Sequence, residues 1–485
     1  YKLFNYYGSK NATRIIVAMG SVCETIKETI DYLNERNENV GLIEVHLYRP
    51  FSIKHILDVL PPSVEKIAVL DRTKESGSSG EPLYLDVVNA FKEKNIHIIG
   101  GRYGISSKDV APKDIKAVYD FLNNKDSFNN FTVGINDDVT SRSIKVDDSF
   151  SIESKNAEIL IYGYGSDGMV SASKNIMKII GDKTEKFVQG YFQYDSKKSG
   201  GVTRSHLRIS DTKIRAPYYI TSSELIVCTK ASYLSQFDML DYIKQNGTFI
   251  LNSSLSDEEC LKLIPEEMIK IIKEKNIHFY IVDALKLSSE SGLGNKISTI
   301  METIILKFIN ILNEKEFKEE IKRNVKEKFL KRGIEIVEAN NKVIDKALEY
   351  IRRVEVKTID NKKDNKKITN DIIIDSINKM RGNELPVSAF LDHADGTYEG
   401  GNTVFEKRKI SEYVPMWIKE NCIQCNQCAF VCPHAVIRPF LLNDEESKEV
   451  NDKYLKSIGK EVQDYNFMIG VSYNDCTGCT HCVQT

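Results

Sequence analysis

The chain has 485 residues, which at about 150 residues per domain implies about three domains. Lys plus Arg is 67 and Asp plus Glu is 69, a net charge of −2, so the basic surplus of a protein that grips phosphate backbones is missing. At 41% hydrophobic and 28% charged the composition is that of core-forming globular domains, which excludes disorder as the main state.

Residues 1–135 alternate strand and helix patterns. Arg14–Met19 is a buried strand, Glu24–Leu33 a helix and Val40–Tyr48 a second strand. Ile53–Leu60 is a helix stopped by Pro61-Pro62, followed by strand Lys66–Leu70, helix Pro82–Phe91 and strand His97–Gly100. This rhythm predicts a parallel sheet covered by helices, with ligands at the carboxyl ends of its strands. The opening Tyr1-Lys2-Leu3-Phe4 has no apolar core of a secretory leader.

Around Thr140–Asn156 the pattern lapses into a polar linker. A second α/β segment follows, with strands expected at Glu158–Tyr162, Phe187–Tyr191, Glu224–Cys228, Thr248–Leu251 and Phe279–Asp283. Lys296–Leu312 and Ala339–Arg353 read as amphipathic helices facing a core. The most apolar stretch, Ile297–Leu312, is broken by Glu302, Lys307 and Asn310, so no membrane span is expected. Val356–Asn370 is a solvated Lys/Asp/Asn linker, and irregular chain runs on to about residue 410.

Ten cysteines are present, and seven of them lie between Cys422 and Cys482. The first run, Cys422-x2-Cys425-x2-Cys428-x3-Cys432-Pro433, has the spacing that wraps three thiolates around one [4Fe–4S] cluster and lends the fourth to a neighbour. The second run is Cys476-x2-Cys479-x2-Cys482, and a fourth cysteine in the same pattern falls one residue after Thr485. Interleaved ligation then completes one cluster with Cys476, Cys479, Cys482 and Cys432. The other has Cys422, Cys425 and Cys428, an incomplete set within these residues. Zinc, the alternative for thiolates, takes two separated pairs and fits this spacing poorly. His434 and His481 sit beside ligands and read as neighbours, not as iron ligands.

Strand Glu158–Tyr162 ends in Gly163-Tyr164-Gly165-Ser166-Asp167-Gly168, a G-x-G-x-x-G turning into a helix, where backbone can approach a phosphate. A dinucleotide site wants an acid at the end of the next strand. That strand instead runs into Tyr194-Asp195-Ser196-Lys197-Lys198. Two ammonium groups suit a phosphomonoester better than a ribose diol, favouring coenzyme A or NADP over NAD. Arg204, His206 and Arg208 follow close together, and His206 reads as a structural histidine.

Several stretches carry a resemblance: Gly101-Arg-Tyr-Gly-Ile-Ser-Ser107, Tyr162–Gly168, Gly190–Thr203, Ser205-His-Leu-Arg208, Ala389–Thr397 and the first cysteine run. Standing in family order over nearly the whole chain, they make it resemble pyruvate:ferredoxin (flavodoxin) oxidoreductase. The resemblance implies a multidomain α/β protein with two parallel-sheet domains. Residues 1–135 are then transketolase-C-terminal-like and 150–355 gamma-type, on the coenzyme A side. A small linking domain occupies 356–410, and a truncated bacterial-type 2[4Fe–4S] ferredoxin domain 411–485. It places Gly163, Gly165, Ser166, Gly168, Lys197 and Lys198 at coenzyme A. Arg204 stands where relatives often have a smaller or apolar residue.

By the same resemblance the complete enzyme converts pyruvate to acetyl-CoA and CO2 and passes electrons through its clusters to ferredoxin or flavodoxin. Thiamine diphosphate and magnesium are expected in domains outside residues 1–485. No catalytic residue is assigned here, and this stretch alone is expected not to turn over pyruvate. A homodimer follows from the family, as does a cytoplasmic location or a hydrogenosome or mitochondrion-related organelle. No nucleic acid or membrane partner is expected. The alternatives are a fused pyruvate:NADP oxidoreductase, a sister 2-oxoacid oxidoreductase, and a non-catalytic iron–sulfur carrier subunit.

Overall fold

A computed structural model describes residues 2–154, 156–196, 200–356, 369, 371–450 and 453–485. The first unit holds strands β1 (Phe4–Gly8), β2 (Arg14–Met19), β3 (Val40–Val45), β4 (Lys66–Asp71), β5 (His97–Arg102) and β6 (Phe131–Thr132). Helices α1 (Val22–Asn34), α2 (Ile53–Asp58), α3 (Pro82–Phe91) and α4 (Pro112–Asn123) connect them. The strand order is β1-β3-β2-β4-β5-β6, parallel except for the antiparallel edge pair β1–β3. Central β2 is buried on both faces, as a helix-covered parallel strand must be. Helix α1 supplies one cover through Val22, Ile26, Ile30 and Leu33, spaced at helical period.

The second unit holds β7 (Ala157–Tyr164), α5 (Met169–Lys183), β8 (Phe187–Tyr194), β9 (Val202–Ser210), β10 (Ser223–Cys228) and β11 (Ile243–Asn252). It continues through α6 (Asp257–Leu263), α7 (Glu266–Glu274), β12 (His278–Val282) and α8 (Ala284–Glu290). Then come α9 (Ser298–Ile309), α10 (Glu314–Phe329), α11 (Ile334–Lys346) and β13 (Ile351–Arg353). Its sheet, β13-β12-β11-β10-β7-β9-β8, is mixed rather than wholly parallel. Strand β9 lies antiparallel between β7 and β8, and β13 closes the other edge antiparallel to β12. The helical reading of Ala339–Arg353 holds as α-helix to Lys346 and as a 3-10 turn over Ala347–Tyr350, and fails at Ile351–Arg353, which pairs with β12 instead.

The basic stretch after the lysines is the buried strand β9. Register sets Arg208 directly opposite Glu158 of β7, and Arg208 Nε donates to Glu158 Oε1 at 2.7 Å. Arg208 Nη1 also donates to the carbonyls of Ala216 and Tyr218. His206 is buried, stacks on Tyr219 with ring centroids 5.0 Å apart, and accepts the Ile220 amide on Nδ1. Burial, with Arg204 and Arg208 beside it, holds its pKa down to about 3, so it stays neutral. The same loop docks the two units together. Tyr218 Oη donates to Glu28, Arg215 pairs with Asp31, and the Tyr219 amide donates to Asp109.

Among the helices over this sheet, Glu302 of α9 is fully buried and accepts from Asn175 of α5. Burial raises its pKa to about 8. A carboxyl raised in the fold stabilises most below its unfolded value, and that contribution is lost as pH rises through about 8. Glu302→Gln keeps the acceptor and removes the titration. Its melting temperature should match the parent near about pH 4 and exceed it near about pH 9. Equal curves at both values would show that Glu302 does not titrate in this range.

Residues 371–411 staple the units. They contain α12 (Ile372–Asn378) and tie to the first unit through Ser388 and Asp138, and to the second through Arg381 and Asp238. They reach the C-terminal region through Lys407 and Asp475. That region has α13 (Gln427–Phe430), β14 (Ile437–Leu442), α14 (Asp444–Glu449), β15 (Leu455–Lys456), β16 (Asn466–Val471) and α15 (His481–Gln484). Its sheet, β14-β16-β15, is antiparallel. Among the described residues no helix is long and apolar enough to cross a membrane.

Candidate functional site

The two cysteine runs are wound alike. In the first, Gln424 and Asn426 have φ of 58° and 59°; in the second, Gly478 and Thr480 have φ of 69° and 66°. These left-handed positions stand two and four residues after Cys422 and Cys476, and each run then enters a short helix, α13 or α15. The turn aims amides at sulfur: Gln424 N–H meets Cys422 Sγ and Gly478 N–H meets Cys476 Sγ, each at 3.4 Å. Val436 N–H meets Cys432 Sγ at the same distance. Such donors stabilise thiolate charge and tune the potential of what the sulfurs hold.

The fold gathers the cysteines into two groups. Cys432, Cys476, Cys479 and Cys482 line one cavity of about 120 Å3, roofed by Tyr413 and Pro415. Burial pushes the Cys482 thiol up, and Cys479, Cys476 and Cys432 act on it as neighbours. Cys428 is raised by burial with Cys422 and Cys425 as its neighbours. His434 lines the cavity and His481 opens α15.

No three His, Cys, Asp or Glu side chains among the described residues converge on a point that could hold one metal ion. A single ion needs every sulfur within about 2.3 Å of one centre. An iron–sulfur cubane spreads its thiolates over separate iron corners, and this open four-cysteine cradle with amides aimed at sulfur fits that group.

Gly478 is required twice over, by its φ of +69° and because a Cβ there would lie 2.7 Å from Ser411 Oγ. Gly478→Ala should cost about 1–2 kcal/mol locally. It should also speed the loss of cluster absorbance in air, whereas Thr480→Gly should not. Equal bleaching rates for Gly478→Ala and the parent would refute this.

The glycine loop closes on its own acid. Asp167 accepts the amides of Tyr164 and Met169, both at 2.8 Å, and the Thr229 hydroxyl at 3.3 Å. Burial raises this carboxyl to about 6. A Cβ on Gly163 would lie 2.6 Å from Asp167 Oδ2, and one on Gly168 3.0 Å from Ser298, so these glycines allow close packing. Ser166 is exposed at the loop tip with φ of +80°. Gly165 N–H donates to the Gly201 carbonyl at 2.8 Å, which joins the glycine loop to the chain after the lysines. Lys197 and Lys198 lie outside the described residues.

Beside that junction opens a cleft of about 450 Å3, lined by Tyr194, Ser196, Gly201, Phe237, Lys379 and Arg408. With antiparallel β9 beside β7, the parallel neighbour that would carry a ribose-binding acid is absent on that side. The residues that sequence reasoning passed over are Asp167, Lys230 and Glu412. Buried Lys230, after β10, pairs with Glu412, whose neighbours Ser411 and Tyr413 abut the cysteine cradle. The sequence signals only the strand end at Lys230; its partner is 182 residues away.

Known families match in chain order. Pyruvate:ferredoxin oxidoreductase core domain II covers residues 12–115, and Pyruvate ferredoxin/flavodoxin oxidoreductase covers 158–350. A domain of unknown function covers 367–411 and a 4Fe-4S dicluster domain 416–485. With the paired α/β sheets and the cysteine cradles, these define a multidomain iron–sulfur oxidoreductase.

The chain is 44% identical over its whole length to pyruvate:ferredoxin oxidoreductase of Moorella thermoacetica. It is 43% identical to pyruvate-flavodoxin oxidoreductase of Enterobacter agglomerans, and spans 42% of each of these two relatives. It belongs to the pyruvate:ferredoxin/flavodoxin oxidoreductase family. A mitochondrial pyruvate dehydrogenase [NADP(+)] of Euglena gracilis is 39% identical over the whole chain, which spans 28% of that protein. A pyruvate oxidoreductase subunit of Thermotoga maritima aligns over 42% of this chain and all of its own, at 19% identity and TM-score 0.34.

Proposed function

We propose that the protein containing this chain oxidises pyruvate to acetyl-CoA and CO2, with ferredoxin or flavodoxin taking the electrons. The observation that supports this most is whole-chain identity of 43–44% to enzymes named for pyruvate and these carriers, in a chain with a dicluster domain. Residues 1–135 are read as the transketolase-C-terminal-like domain and 150–355 as the gamma-type domain. Residues 356–410 are the linking domain and 411–485 the ferredoxin-like one.

The balance is simple. Pyruvate loses its carboxyl as CO2, the remaining two-carbon unit gives up two electrons, and its carbonyl carbon forms a thioester with coenzyme A. The clusters, when bound, move electrons singly, and the family's thiamine diphosphate and Mg2+ belong outside residues 1–485.

In this reading Cys432, Cys476, Cys479 and Cys482 hold one cluster, and Cys422, Cys425 and Cys428 hold three corners of the other. Their amide partners favour the thiolates. Ser166, Lys197 and Lys198 are the residues assigned to the phosphates of coenzyme A. Gly163, Gly165 and Gly168 give the loop its shape. Asp167 occupies the first amide of α5, so the coenzyme approaches from the Ser166 side. Residues 1–485 alone do not turn over pyruvate.

The test uses the full-length protein purified without oxygen, with pyruvate and with or without coenzyme A. Coenzyme A-dependent reduction of viologen and ferredoxin, but not NADP, is the expected result. NADP reduction would establish the fused-reductase reading that the Euglena relative favours. No pyruvate-dependent reduction would leave an electron carrier.

A further inference from the structure

Residues 407–413 run between the second α/β unit and the second cysteine run, and their contacts alternate along the chain. Lys407 Nζ pairs with Asp475 Oδ2 at 2.7 Å, and the Lys409 amide donates to the Asn474 carbonyl at 2.8 Å. Ser411 Oγ fills the space a Gly478 side chain would need, 2.7 Å from where its Cβ would stand. Tyr413 lines the cavity of Cys432, Cys476, Cys479 and Cys482.

The residues between these face the other way. A Cβ on Gly200 would lie 2.5 Å from Ile410 and 3.2 Å from Arg408. Ile410 is buried in the same core as Tyr162 and Val202 of the second unit. Glu412 pairs with Lys230.

Lys230 is a fixed post. It follows β10 directly, and the preceding Thr229 is tied on both sides: its amide donates to the Tyr162 carbonyl at 2.9 Å, and its carbonyl accepts from Asn252 at 3.1 Å. The Lys230 ammonium lies 5.7 Å from the centre of the Tyr164 ring. Lys230 is only 6% exposed, whereas the Glu412 side chain is half exposed.

Taking an ammonium out of water is costly, so such a pair is a weak source of stability. What it supplies is place. The burial of Ile410 is non-directional, whereas the ion pair forms at one position of the segment only. A slip of one residue would exchange its two faces, turning Ser411 and Tyr413 toward the second unit and the Glu412 carboxylate toward the thiolates.

We propose that Lys230 and Glu412 are positioning residues for the cluster of the second cysteine run. They fix the register of residues 407–413. With it they fix the roof at Tyr413 and Pro415 and the turn at Gly478, whose amide meets Cys476 Sγ. The proposal rests on the reading that Cys432, Cys476, Cys479 and Cys482 hold one cluster.

The test uses the full-length protein purified without oxygen. In Lys230→Met, the electron paramagnetic resonance signal that Cys479→Ser removes should change shape. Its midpoint potential should rise, because water reaching the cluster favours the more negative reduced state. Bleaching in air should be about fivefold faster, the factor that about 1 kcal/mol of lost seating corresponds to. The signal that Cys425→Ser removes should stay as it is.

Glu412→Gln should move the same three quantities in the same direction, and it decides the matter if Lys230→Met does not fold. Lys230→Arg, which keeps the pair, should return them to the parent values. Arg381→Met breaks a different tie to the second unit, at Asp238, and should leave them unchanged.

Parent-like signal, potential and bleaching in Lys230→Met or Glu412→Gln would overturn the proposal. Equal changes at both clusters would overturn it too, since they would mean general loosening. If Cys479→Ser removes no signal, the cluster reading fails and the proposal falls with it.

Discussion

Cys432→Ser should remove the cluster of the second cysteine run and spare that of the first. Cys432 belongs by sequence to the run Cys422–Cys432, yet it lines the cavity of Cys476, Cys479 and Cys482. After anaerobic reconstitution, iron should fall by about four per chain, the content of one cluster. The electron paramagnetic resonance signal that disappears should be the one lost in Cys479→Ser. The signal lost in Cys425→Ser should persist. If Cys432→Ser and Cys425→Ser instead remove the same signal, each run binds its own cluster and the interleaved assignment is wrong.

The largest stability loss should come from Arg208→Met. Arg208 is 1% exposed and Glu158 5%, so the substitution strands a carboxylate and two carbonyls in the core. Breaking a buried pair on one side costs about 3–5 kcal/mol, because the remaining charge cannot be rehydrated. For a unit of roughly 200 residues this lowers the melting temperature by about 6–20 °C.

Replacing both partners, Glu158→Leu with Arg208→Met, should recover much of the loss, since two apolar groups leave no orphaned charge. The loop that Arg208 anchors through Ala216 and Tyr218 also carries Tyr218 to Glu28. The single variant should therefore loosen the docking of the two α/β units, seen as faster proteolysis between residues 211 and 222. A loss below about 1 kcal/mol would mean that water reaches Glu158 in the fold.

What was legible in the sequence was local. Cluster ligation depends on covalent spacing over a few residues, so the cysteine runs announce themselves, and the cavity shared by Cys432 with the second run is their tertiary counterpart. Strands buried on both faces, such as Arg14–Met19 and Glu224–Cys228, show as apolar runs for the same reason. Strand β9 did not show, because Thr203, Arg204, Ser205, His206 and Arg208 make it read as a polar segment. Its burial rests on partners such as Glu158, Gln193 and the Ile220 amide, and only register brings those together. The Lys230–Glu412 pair and the self-closing of the glycine loop by Asp167 are likewise matters of tertiary placement. The G-x-G-x-x-G pattern marks the turn and cannot say which anion fills it.

The position of β9 also bears on the order in which the chain can fold. An ordinary β–α–β crossover is complete once its second strand has formed, but here β7 and β8 never touch. Until β9 has left the ribosome, β8 has no strand to pair with and α5 packs over a sheet with an open edge. Chain emerging before about residue 210 therefore presents the β7 edge to any passing strand, a hazard that ends when β9 fills the gap.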